Sequence, residues 1–113
     1  MTVTYIASRL VGDYDTDPAV RSLVDSTRIV IVAVATPDGY LDSWSSERYW
    51  RKNRRPNNAS DFGVDLNRNW GYEWGGDGAS SDPSSDIYRG TTSFSEPETQ
   101  VLRDLALSFG DKL

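Results

Sequence analysis

Residues 29–35, IVIVAVA, limit what this chain can fold into more than any other segment. A continuous apolar run rich in β-branched residues reads as a strand buried on both faces, as at the centre of a parallel or mixed sheet. The pattern predicts a strand over 28–35. A central strand needs hydrogen-bonding neighbours on both sides. No second run of similar strength occurs in the 113 residues. The segment therefore reads as one strand of a larger α/β domain.

Helical signals flank it. Ile6 and Leu10 lie four apart, with Val3 and Val11 beside them, which predicts a helix over 3–11. A polar turn at 13–16 follows. Asp17 before Pro18 is an N-cap with proline at N1, opening a helix over 18–25 that carries Val20, Leu23 and Val24. Asp13, Asp15 and Asp17 imitate the start of a calcium loop. Pro18 stands where that loop needs glycine, and Val24 where it needs a bidentate glutamate, so the N-cap reading is preferred. Thr36-Pro37-Asp38-Gly39 reads as a turn.

Residues 40–95 show little periodicity and are rich in Gly, Ser, Asp and Asn. A structureless stretch of that length is usually functional, and Trp44, Trp50, Trp70 and Trp74 are expected to pack within it. A last helix is predicted over 96–109. Ser95 and Glu98 form its capping box, Val101, Leu102, Leu105, Ala106 and Phe109 make one stripe, and Gly110 ends it.

Composition excludes several classes. The net charge of −5 argues against a nucleic-acid partner, which requires a basic face. No segment approaches the ~20 apolar residues of a membrane span. MTVTYIASRL lacks the basic and apolar regions of a signal peptide. The chain has no cysteine and no histidine, so thiolate and imidazole metal ligands are absent from it.

The chemistry-bearing residues lie in RYWRKNR (48–54) and GVDLNRNW (63–70). Asn67 and Arg68 present planar donors suited to a carboxylate, and Arg51 is a second guanidinium for an anion. Taken alone, these residues also fit a surface arginine stacked on Trp50 and a loop turn with a salt bridge to Asp65. In the order and spacing of these segments, with PDGY (37–40), DPSSDIYRG (82–90) and FSEPET (94–99), the chain resembles the zinc carboxypeptidases of the carboxypeptidase A and carboxypeptidase T type.

The resemblance implies that residues 1–113 are a partial, central piece of a mixed-sheet α/β (phosphorylase/hydrolase-like) peptidase domain. It implies that Arg51 stabilises the oxyanion, that Asn67 and Arg68 bind the substrate's terminal carboxylate, and that Arg48 lines the cleft. It further implies a zinc cofactor, with the ligands, a general-base glutamate and a mobile tyrosine lying outside these residues. The implied partners are peptide or protein C-termini and the remainder of the domain. The implied setting of the parent enzyme is extracellular. A bacterial-type member is expected, because animal members place a disulfide where this chain has Asp61 and Ser84. Thr36 replaces an asparagine usual before PDG. The isolated chain is expected to be inactive. The rival reading is a stand-alone, non-catalytic binder of peptide C-termini.

Overall fold

The computed structural model describes residues 2–110. They form two compact units, one up to Ala35 and one from Thr36 onward. In the first unit, α1 spans Thr2–Gly12 and α2 spans Pro18–Ser26, within a residue of the predicted bounds. Asp17 caps α2: its Oδ1 accepts from the amides of Ala19 at 2.8 Å and Val20 at 3.4 Å. Asp13 pairs instead with Arg9 at 2.7 Å and Asp15 with Arg21 at 3.3 Å. The three aspartates thus serve three different partners.

The predicted strand over 28–35 does not form. Among the described residues there is no strand, only two isolated bridges elsewhere. Ile29, Val30, Val32 and Val34 are 40–48% exposed. The reason is the one the pattern itself raised: a strand exists only as part of a ladder, and this run finds no ladder partner here. An apolar cavity of about 410 Å³ lies among Leu10, Val11, Val24, Ile29 and Ile31 of the same unit, so the apolar faces are incompletely covered.

In the second unit, α3 spans Pro37–Ser45, a 3₁₀ turn spans Leu66–Arg68, and α4 spans Pro97–Leu107. The predicted turn at 36–39 is therefore the first turn of α3. Pro37 occupies N1, where its fixed φ suits a helix. Asp38 anchors that turn by accepting from Gly39 N and, through its other oxygen, from Arg54 N, both at 2.7 Å. Gly39 lies against the Lys52 carbonyl, where a Cβ would collide.

The stretch predicted as a loop over 40–95 contains most of α3 and the 3₁₀ turn, and the rest is irregular but densely bonded. Around a turn at 57–61 the chain doubles back. Asn53 N donates to Val64 O at 3.1 Å, Gly63 N to Arg55 O at 2.7 Å, and Pro56 bridges Phe62 antiparallel. The tryptophans pack less deeply than expected: Trp44 is 65% exposed, and Trp50 is covered by the Arg54 guanidinium at 4.5 Å.

The centre of this unit is polar. Val64, Asn53, Asn69, Glu96 and Thr99 are fully buried. Asn69 Nδ2 reaches Arg89 O at 2.9 Å, Thr92 O at 3.1 Å and Ser95 Oγ at 2.9 Å. Its Oδ1 accepts from Glu96 N at 3.3 Å and Thr99 Oγ1 at 2.7 Å. Glu96 also binds Asn53 Nδ2 at 2.8 Å and the Arg55 guanidinium.

This network replaces the predicted capping box. Glu96, not Ser95, is the N-cap of α4, and it makes no side-chain cap. Ser95 Oγ donates to Glu96 Oε1 at 2.7 Å, while Asn69 supplies the acceptor for the Glu96 amide from 27 positions away. The stripe on α4 is only partly covered, with Val101 66% exposed. Gly90, at φ +83, holds the loop against Asn69 and Ser95, where any Cβ would clash.

Replacing Asn69 by Ala strands several buried donors and acceptors at once. The expected cost is about 2–4 kcal/mol, from ~1 kcal/mol per hydrogen bond plus the penalty of unmet partners. Urea melts of the two chains measure it, and an unchanged midpoint contradicts the role given to the network.

Candidate functional site

The site is built on Asp65, which is 2% exposed. Its amide donates to Tyr88 O at 2.8 Å, and its Oδ1 accepts from Asn67 N at 3.1 Å, capping the 3₁₀ turn Leu66–Arg68. Aspartate favours this local geometry because its short side chain reaches the amide two residues on. The turn swings Arg68 back over the cap, and Arg68 N donates to Asp65 O at 2.8 Å.

The other carboxylate oxygen of Asp65 faces two guanidinium groups. Arg51 Nη2 donates to it at 2.9 Å, and Arg68 Nε stands 3.9 Å from it. Arg51 and Arg68, 17 positions apart in sequence, are thereby brought to one buried anion. Arg68 Nε is itself buried with no hydrogen-bond partner. Asn67 is exposed beside it, and both line a cavity of about 210 Å³. Two guanidinium charges against one carboxylate leave a net positive site, and arginine's planar donors suit a carboxylate or oxyanion.

Arg48, the fourth predicted residue, is placed over the Trp44 ring, 4.7 Å from its centroid. Lys52 alternates with Arg51. While Arg51 stays half exposed, Lys52 is buried and donates to Ser85 O at 3.1 Å and Pro83 O at 3.5 Å. Burial pushes the Lys52 amine below the usual lysine pKa, against the opposing pull of Asp86, Asp61 and Asp65. Lys52 thus ties the 48–54 segment to the 83–85 loop.

Sequence reasoning treated Asp65 only as the partner in an ordinary salt bridge. The signal for its larger part was present in D-x-N, the spacing of a side-chain cap. The contact to Arg51 had no local signal.

Among the described residues, no three His, Cys, Asp or Glu side chains come together to hold a metal ion. With neither histidine nor cysteine in the chain, the residues present do not fit a zinc centre.

A family model described as zinc carboxypeptidase matches residues 1–112. The chain belongs to the zinc carboxypeptidase family. It is 43% identical over 110 residues to carboxypeptidase A2 of Mus musculus, covering 96% of this chain and 26% of that protein. It is 41% identical over 106 residues to an inactive metallocarboxypeptidase, ecm14, of Talaromyces stipitatus, covering 93% of this chain and 18% of that protein. Among solved structures it is similar to the carboxypeptidase A from Helicoverpa armigera, with TM-score 0.81, 37% identity and coverage of 98% of this chain and 27% of that one. It is also similar to thrombin activatable fibrinolysis inhibitor, with TM-score 0.90, 32% identity and coverage of 98% and 30%.

The chain spans about a quarter of the length of such carboxypeptidases. The α/β carboxypeptidase fold expected from the motifs is the fold of these neighbours.

Asp65→Asn keeps an acceptor for the Asn67 amide and removes the charge that holds the two guanidinium groups. A loss of about 1–3 kcal/mol is expected, read as a lower urea midpoint. An unaltered midpoint would mean that the Arg51 contact contributes nothing to the fold.

Proposed function

We propose that these residues supply the anion-holding half of a carboxypeptidase active site, in an enzyme that releases C-terminal amino acids from peptides and proteins. The observation that carries this reading is the convergence of Arg51 and Arg68 on buried Asp65. Arg68 and Asn67 receive the substrate's terminal carboxylate. Arg51 keeps free donors beyond the one given to Asp65 and stabilises negative charge on the scissile carbonyl oxygen. Arg48 contacts the residues preceding the scissile bond. Zinc, the cofactor of the complete domain, is assigned to residues outside these 113. The setting proposed for the whole enzyme is extracellular, and the bacterial-type assignment rests on Asp61 and Ser84 alone.

A non-catalytic binder of peptide C-termini is the second reading. It is favoured by the 41% identity to a relative named as inactive. Both readings use the same carboxylate clamp and differ in turnover.

Kinetics on the full-length enzyme test the assignments. Arg51→Ala should lower kcat/KM by about 10²–10³ with a smaller change in KM, as expected for a donor to developing charge. Arg68→Ala should act mainly by raising KM. Wild-type rates in the Arg51 variant remove it from the mechanism. The purified 113-residue chain should show no hydrolysis of an N-acyl dipeptide with added zinc, and chelator-sensitive turnover would refute that expectation.

A further inference from the structure

We infer that Lys52 is a positioning residue for Arg51, closing a ring of hydrogen bonds that sets where the Arg51 guanidinium points. The inference rests on the oxyanion role proposed above for Arg51 and adds to it the group that holds Arg51 in place.

The ring passes through two loops. Lys52 Nζ donates to Ser85 O at 3.1 Å, and Tyr88 N donates to the same carbonyl at 3.1 Å. Tyr88 O accepts from Asp65 N at 2.8 Å. Asp65 Oδ2 accepts from Arg51 Nη2 at 2.9 Å. The peptide bond between Arg51 and Lys52 closes the circuit. Arg51 is thereby fixed at both ends, its guanidinium through Asp65 and its backbone through Lys52. Both fixings lead to the turn at 85–88. A second bond from Lys52 Nζ, to Pro83 O at 3.5 Å, braces the same corner.

Lys52 is built as a fixed point. It is buried, which is rare for lysine, and its amine meets backbone carbonyls, whose places the chain itself sets. Its stem passes Gly63, where a Cβ would come within 2.7 Å of the Lys52 Cβ. Its amine lies 5.4 Å from the Trp50 ring centroid, and its carbonyl abuts Gly39 of α3. The Arg51 side chain, in contrast, is 49% exposed. A half-exposed guanidinium left alone samples several rotamers, whereas a donor to developing charge acts only if it is aimed in advance. Arg68 depends less on the ring. Its amide donates to Asp65 O at 2.8 Å, and its Nε stands 3.9 Å from the carboxylate. Loss of the Lys52 donor therefore falls on Arg51, and on the chemical step more than on binding.

The test is a double-mutant cycle in the full-length enzyme, with an N-acyl dipeptide as substrate. Lys52→Met keeps the stem and removes the donor. It should lower kcat by about 10–30-fold with KM little changed, a fraction of the 10²–10³ expected for removing an oxyanion donor outright. Lys52→Arg, which restores a cationic donor, should recover most of that loss. In an Arg51→Ala background, Lys52→Met should lower kcat/KM no further, because a residue that acts only through Arg51 has nothing left to position. Should Lys52→Met fail to fold, Lys52→Gln, with a shorter polar head, takes its place in the cycle. Wild-type kcat in the Lys52 variant overturns the inference. So do losses that multiply with those of Arg51→Ala, a loss confined to KM, or a failure of both Lys52 variants to fold, which makes Lys52 a structural residue only. In each of these cases a slow Arg51→Ala enzyme leaves the oxyanion reading standing. Wild-type rates in Arg51→Ala itself overturn both.

Discussion

The buried carboxylate of Asp65 is the contact on which the site depends. Two guanidinium groups left to themselves would repel and disperse into solvent. With Asp65 between them, Arg51 at 2.9 Å and Arg68 at 3.9 Å sit side by side. The carboxylate is fixed in turn by backbone bonds, through its own amide to Tyr88 and through Oδ1 to Asn67. A side chain immobilised in this way transmits its position to its partners. That is what an anion site requires, because donors positioned in advance need not reorganise when charge develops.

The surroundings follow the same logic. This unit packs around hydrogen bonds rather than a large apolar core. Asn69, Asn53, Glu96 and Thr99 are buried and bonded to one another or to neighbouring loops. Such a network tolerates little variation, since each unmet partner costs free energy. It therefore suits a long irregular segment that must hold one shape. Glycines at 39 and 90 allow the close backbone approaches the network needs. The first unit depends on apolar burial, and its faces are only partly covered.

Family membership and fold follow from the similarity to the zinc carboxypeptidases. The matched stretch is common to a carboxypeptidase A2 and to a relative named as inactive. Similarity over this stretch is therefore shared by relatives that differ in the activity their names give them.

The sequence by itself determined the helices at 18–26 and 97–107, where proline at N1 and the apolar spacing act within a few residues. It also pointed to the side chains proposed to hold anions, since Asn67 and Arg68 lie in one short motif. It misplaced what depends on distant partners. The 29–35 run has strand chemistry but no ladder neighbour among the described residues. Thr36–Gly39 suits a turn or a helix start, and the bond that Arg54 N donates to the Asp38 carboxylate accompanies the helix. Ser95 and Glu98 have capping-box spacing, yet Asn69 provides the acceptor instead. Only the tertiary structure brought Arg51 to Asp65, across 14 positions, because no local periodicity encodes a contact between two loops.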